Sequence, residues 1–192
     1  MFKYLYLLSA ALVTVSHGMI ISGEPKVDVG QCPNITNKYD FEAAPYLGVW
    51  YELERFPMSF EAGQDCVTAT YSVLDDVYIK VYNRARLLKG PIVDITGRAH
   101  VIAPGVLLVE FFTMENSGAE YHVLDTDYEK FACVYNCVQT GPVRAQYAWL
   151  LSRTTDMDDE TYNHAMGVFT DNGIDISLFQ PTYQASDCPY LE

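Results

Sequence analysis

The side chains able to do covalent or acid–base chemistry are few in this chain, and they are scattered. Beyond residue 18 there are three histidines, His100, His122 and His164, and no two stand at metal-ligand spacing. No serine occupies a Gly-x-Ser-x-Gly turn. Nucleophilic catalysis needs a base held beside a nucleophile, and this pattern supplies no such pair. The expected reading is therefore not an enzyme, with no catalytic cofactor and no metal site. What the chain does supply is rings: fifteen tyrosines, nine phenylalanines and two tryptophans. A tyrosine offers an apolar face and one hydroxyl, which suits capture of a conjugated molecule with polar ends.

Five cysteines are the remaining reactive groups: Cys32, Cys66, Cys133, Cys137 and Cys188. Four of five leave three pairings open, and spacing alone does not choose. Disulfides belong to an oxidising compartment, and the start of the chain agrees. Lys3 precedes an apolar run from Tyr4 to Val15, too short for a membrane span. Ser16-His17-Gly18 then places small residues before a cut at Met19. Residues 1–18 are expected to be a secretory signal peptide, and residues 19–192 one secreted, extracellular domain. Asn34-Ile35-Thr36 is an N-glycosylation sequon, so Asn34 is the candidate glycosylation site. The formal charge of −13 argues against nucleic acid and anionic membrane partners. No later segment reads as transmembrane. Residues 19–31 are expected to be poorly ordered.

The elements that must position the rings follow from alternation and turn signals. Val49–Arg55, Val67–Leu74, Val77–Ala85, Ile92–Ile102, Val106–Thr113, Glu120–Asp125, Phe131–Val138 and Arg144–Ser152 read as strands. Asp75-Asp76, Lys89-Gly90-Pro91, Pro104-Gly105, Asn116-Ser117-Gly118 and Gly141-Pro142 separate them. One helix follows. Asp156 is its expected cap, Tyr162, Ala165, Met166 and Phe169 share a face, and Asn172-Gly173 ends it. A short strand is expected within Ile174–Phe179. The fold class is all-β: an eight-stranded up-and-down antiparallel β-barrel with one C-terminal α-helix packed outside.

Three short motifs sharpen this reading. Gly48-Val49-Trp50-Tyr51 opens the first strand, Thr126-Asp127-Tyr128 follows the sixth, and Arg153 ends the eighth. In this order and spacing, Gly48, Trp50, Thr126, Asp127, Tyr128 and Arg153 resemble the lipocalin signature. The resemblance implies a closed barrel end, with Trp50 covered by the Arg153 guanidinium, a contact worth roughly 0.5–2 kcal/mol. The stretches Phe41–Glu54, Phe60-Glu61-x-Gly63-x-x-Cys66 and Thr126–Cys137 resemble the apolipoprotein D, bilin-binding protein and crustacyanin group of that family. That group implies the disulfides Cys32–Cys137 and Cys66–Cys188, which leaves Cys133 as a free thiol. Cys133 and Cys137 are four apart and point the same way on a strand, so Cys133 is expected to face away from the cavity. A bond to a ligand or to a second chain is the alternative for it.

Parity then selects the cavity lining. With Arg153 at the closed end, Tyr147, Trp149 and Leu151 share the inner face. An outward Cys66 turns Val67, Ala69 and Tyr71 inward, and an outward Glu110 does the same for Leu107, Val109, Phe111 and Thr113. The third strand contributes Ile79, Val81 and Asn83, and the sixth Tyr121 and Val123, leaving His122 outside. The expected ligand-binding set is Tyr71, Val81, Asn83, Val109, Phe111, Thr113, Tyr121, Tyr147 and Trp149. Phe56-Pro57-Met58-Ser59-Phe60 is expected at the mouth, as a lid, a contact surface or plain packing. Arg84 and Arg86 stand near that mouth, as partners for ligand carboxylates or as solvated charges. The expected function is binding of a small hydrophobic ligand for transport, storage or coloration. A pigment, either a biliverdin-type tetrapyrrole (bilin) or a carotenoid, is the bound chromophore expected first. The alternatives are a colourless lipid carrier (fatty acid or sterol) and a crustacyanin-like chromoprotein subunit that forms homo- or hetero-oligomers.

Overall fold

The computed structural model describes residues 26–113 and 118–191. The signal segment 1–18, the cut before Met19 and the turn residues Asn116 and Ser117 lie outside the described residues. Eight antiparallel strands form the barrel: β2 (Gly48–Arg55), β3 (Gln64–Val73), β4 (Ile79–Leu87), β5 (Ile92–Ala103), β6 (Val106–Phe111), β7 (Ala119–Thr126), β8 (Phe131–Thr140) and β9 (Val143–Ser152). Each pairs with its sequence neighbour, and β9 closes the cylinder on β2, with Tyr51 opposite Ser152 and Arg55 opposite Trp149. Closure removes the free edges that an open sheet would expose.

Residues 19–25 lie outside the described residues, and from residue 26 on the structure corrects the expected disorder. Lys26–Val29 form a strand, β1, paired antiparallel with Val143–Gln146 of β9. The reason lies in the seam. β2 covers only the later half of β9, so the first half would otherwise present unpaired backbone groups, which the amino-terminal segment satisfies. Arg144 adds an ion pair to Asp28 at 2.7 Å.

A short helix, α1 (Ala43–Tyr46), precedes β2, and one helix of three turns, α2 (Asp159–Asp171), packs outside against β8 and β7. Asp158, not Asp156, caps it: its carboxylate accepts the Thr161 N–H at 2.9 Å. Asp156 instead offers its backbone carbonyl to the Thr154 hydroxyl. Ala165, Met166 and Phe169 are buried, as is Thr161, while Tyr162 is half-buried and donates its hydroxyl to Glu54. After the helix, Ile176–Leu178 make a 3-10 turn rather than the expected strand; only Gln180–Pro181 pair, against Glu54 and Arg55 of β2.

The helix explains why β8 is buried on both faces. Phe131, Cys133 and Tyr135 point outward into a core shared with Phe56, Met58, Ala165 and Phe169. Ala132 and Val134 point inward, among Trp50, Tyr71, Leu107 and Val123. The loop Phe56–Phe60 is thus divided. Phe56 and Met58 are core residues, while Ser59 and Phe60 are exposed. Disulfides join Cys32 to Cys137 and Cys66 to Cys188, across 105 and 122 residues. Each is worth roughly 4–5 kcal/mol in the chain-entropy account.

Arg153 closes the other end. Its guanidinium lies 3.7 Å from the Trp50 ring centroid. Nη1 donates to the Val49 carbonyl at 2.8 Å, Nη2 to Leu47 at 2.9 Å and Pro45 at 3.0 Å, and Nε to Tyr128 at 2.9 Å. Gly48 has φ +101°, and a Cβ there would sit 3.2 Å from Nη1. The Tyr128 turn is itself fixed: Thr126 Oγ1 donates to Phe131 O at 2.6 Å, and Asp127 Oδ1 accepts the Lys130 N–H at 2.7 Å. Only a planar fork reaches all four carbonyls at once. Arg153→Lys, which keeps the charge, should therefore still destabilise the protein by about 2–3 kcal/mol. A lower urea midpoint at unchanged slope checks this; a wild-type midpoint would assign the closure to charge alone.

Candidate functional site

The barrel encloses a cavity of about 330 Å³ that opens at the end away from Trp50 and Arg153. Its apolar wall is built from alternate residues of four strands: Val67, Ala69 and Tyr71 of β3, Val81 of β4, Val109 and Phe111 of β6, Trp149 and Leu151 of β9. This size and lining suit a small organic molecule. Seven of the nine residues expected from sequence touch the cavity: Tyr71, Val81, Asn83, Val109, Phe111, Tyr121 and Trp149.

The other two stand elsewhere. β6 ends at Phe111, and Thr113 lies exposed in the turn beyond it, where strand parity no longer applies. Tyr147 keeps the inner parity but stands one step nearer the mouth. It stacks on Trp149 (6.4 Å between centroids) and on Phe60 (5.8 Å) instead of touching the cavity.

Hydroxyls floor the cavity. Tyr71 donates to Tyr121 at 3.0 Å, and the Tyr46 and Tyr121 oxygens are 2.9 Å apart. Burial keeps all three neutral, raising Tyr71 to about 12 and the other two further. Tyr121 in turn stacks on Trp149 at 6.5 Å, so rings run from floor to rim.

The residues missed from sequence include Val93 and Ile95 of β5 and Asn136 of β8, and among them are buried acids. Glu52 and Glu61 both face the cavity, and both side chains are largely buried. Glu52 was legible: it follows Trp50 by two on the same strand, so an inward Trp50 turns Glu52 inward. Glu61 sits in the 3-10 turn Ser59–Glu61, which has no alternation to read. Arg55 links them. Its guanidinium contacts Glu52 Oε1, donates to Thr182 Oγ1 and to the carbonyls of Glu61 and Gln64, and comes within 3.5 Å of Glu61 Oε2. Trp149 Nε1 donates to Glu61 Oε1 at 3.3 Å. Burial, and then the neighbouring Glu52, raise the Glu61 carboxyl well above the usual range; Arg55, already shared with Glu52, offsets this only in part.

Of the remaining candidates only Arg84 touches the cavity. Arg86 is held by Asp65 at 2.8 Å and Asp187 at 3.0 Å, and Arg84, on the wall, donates to the Pro189 carbonyl. Cys133 is a buried free thiol under α2, 3.5 Å from the Ala165 carbonyl, and burial pushes it well up. His122 lies outside, between Asn37 and Glu120. Among the described residues, no three His, Cys, Asp or Glu side chains gather as metal ligands.

A lipocalin-like domain model matches residues 41–184, which spans every barrel strand and the helix. The chain belongs to the lipocalin family. Guinea pig (Cavia porcellus) apolipoprotein D is 34% identical over 183 residues, covering 93% of this lipocalin and 95% of the relative. Lobster apocrustacyanin A1 superposes with a TM-score of 0.76 at 21% identity, over 85% of this chain and 94% of that one. Insecticyanin of the tobacco hornworm, Manduca sexta, gives 0.75 at 22% identity, over 86% and 92%. At such identities the two structures show the fold alone.

Two outcomes follow for this site. A carboxyl that binds its proton more tightly when folded contributes stability below the ordinary glutamate range. That contribution is lost as pH rises toward the raised folded value. The stability difference between Glu61→Gln and wild type should therefore move in the variant's favour between pH 4 and pH 8, read from thermal midpoints. A flat difference would mean that Glu61 stays solvated. The Cys133 thiol should be silent to a thiol reagent in the folded lipocalin and react once it is denatured; rapid reaction when folded would place it at the surface.

Proposed function

We propose that this lipocalin is an extracellular carrier that takes one small hydrophobic ligand out of water and holds it, non-covalently, inside the barrel. The observation that carries the reading is the cavity itself. It is open at one end and walled mainly by apolar and aromatic side chains. Burial of about 300 Å² of ligand apolar surface would supply roughly 7 kcal/mol before the costs of association. The described lining contains no His, Cys, Lys or Ser, which favours a carrier over an enzyme. Two long-range disulfides and the signal-like start favour secretion, and Asn34, which is exposed, is free to carry a glycan.

Within this reading a pigment comes first. The Tyr121 and Trp149 rings and, at the rim, Phe60 face the cavity and offer a conjugated bilin or carotenoid surfaces to stack on, with Tyr147 packed behind Trp149 and Phe60. A colourless fatty acid or sterol is the second reading, favoured by the similarity to apolipoprotein D. The absorption spectrum of the protein from its natural source, before and after solvent extraction, separates the two. A visible band lost on extraction supports the pigment, and a colourless protein that yields lipid removes it. Size in solution with and without that ligand tests a crustacyanin-like assembly. Filling the cavity tests the carrier reading: Ala69→Phe should weaken binding of a neutral polyene alcohol about tenfold or more, with little change in melting temperature. Undiminished binding would place the ligand outside the barrel.

A further inference from the structure

The cavity's polar groups are unevenly spent. Its donors are largely engaged within the protein. Trp149 Nε1 is given to Glu61, Gln64 Nε2 to the Phe60 carbonyl and Asn136 Nδ2 to the Glu120 carbonyl. The Tyr71 hydroxyl proton goes to Tyr121. The buried polar atoms left without a hydrogen bond are acceptors: Glu61 Oε2, which has only the longer 3.5 Å ion-pair contact to Arg55, and Asn83 Oδ1. Leaving such atoms unmatched is unfavourable, and a bound ligand that donates to them removes that cost.

Charge has the same bias. Four acidic side chains line the cavity, Glu52, Glu61, Asp94 and Glu120, against one guanidinium, Arg84. Arg84 lies directly across the β4–β5 ladder from Asp94 and donates to the Pro189 carbonyl. Arg55, behind the wall, already serves Glu52, Thr182 and two carbonyls. An incoming carboxylate would thus meet a surplus of negative charge and few unspent donors.

We propose that the cavity selects ligands whose polar head donates hydrogen bonds or carries positive charge, an amine or other N–H donor above all, and discriminates against carboxylate-headed lipids. Glu61 and Asn83 are the receiving groups. The inference rests on the carrier reading and narrows its ligand class, away from fatty acids and the propionates of a bilin and toward neutral or nitrogen-headed ligands. Selection here is a difference in affinity, produced as much by repulsion of the wrong head as by attraction of the right one. A neutral amine head entering beside Glu61 would accept the carboxyl's proton, and an ammonium head would enter as that proton leaves to solvent; either way an ammonium–carboxylate hydrogen bond forms in a low-dielectric pocket.

The test uses three ligands with one chain and different heads: dodecylamine, dodecanol and dodecanoate. Each displaces retinol, a neutral probe read by energy transfer from tryptophan, at concentrations below micelle formation. Dodecylamine should bind about tenfold or more tighter than dodecanoate, with dodecanol between them. Glu61→Gln should remove most of the amine's advantage. Asn83→Leu should weaken both amine and alcohol, and it gives a second reading if the first variant folds poorly. Glu129→Gln, an exposed change of equal charge, should leave the order intact; if it erased the order, the preference would belong to net charge and the inference would fall. Dodecanoate binding as tightly as dodecylamine would overturn the headgroup selection and leave the carrier standing. Failure of retinol and all three ligands to bind would overturn the carrier reading itself.

Discussion

Arg153 is the contact on which the barrel depends. A closed sheet can form from any eight strands with suitable alternation, but a binding cavity needs one end shut and the other open. One guanidinium shuts it by stacking on Trp50 and drawing in carbonyls from the start of β2 and from the Tyr128 turn. Those carbonyls come from two segments, 45–49 and residue 128, so the clasp ties the start of β2 and the turn before β8 to the end of β9. The signature residues act as one device. Gly48 leaves the space, Thr126 and Asp127 shape the turn, and Tyr128 presents the oxygen.

With that end fixed, the interior divides into two zones. Near the clasp the side chains fill space as a core, with Leu107, Val123 and Val134 fully buried. Toward the mouth they stand back, and the protein forgoes packing there. It also buries Glu52 and Glu61 with a single shared arginine, an arrangement that costs more desolvation than it recovers unless something further enters. Core packing on the outer face, under α2, offsets this. Phe56, Phe131, Phe169 and Leu150 form a second hydrophobic core that does not depend on the cavity being filled.

The barrel was legible because strand alternation is a local signal with a two-residue period. Where strands are regular, as at Val81 and Asn83 or Val109 and Phe111, the inward face could be read from residue types alone. It failed where the chain leaves the strand. Thr113 lies beyond the last rung of β6, and Glu61 lies in a 3-10 turn. Phe56 and Met58 looked like an apolar loop at the mouth, because sequence does not show the helix that covers them. The cap moved from Asp156 to Asp158 because several acids compete there, and the one whose carboxylate reaches the Thr161 N–H wins. The β1 strand was illegible for a different reason. Its partner edge exists only because β2 and β9 are offset at the seam.

The placement of the two disulfides has a consequence for survival outside the cell. Cys32 and Cys66 both precede residue 67, while Cys137 and Cys188 both follow residue 136. Any single backbone cut between those limits leaves an amino-terminal and a carboxy-terminal piece joined by both bridges. The turns at 89–91 and 104–105 and the whole 112–118 connection fall inside this window. A protease that nicks one of them would free no fragment. The two pieces would remain one covalent object, wrapped around the same contents.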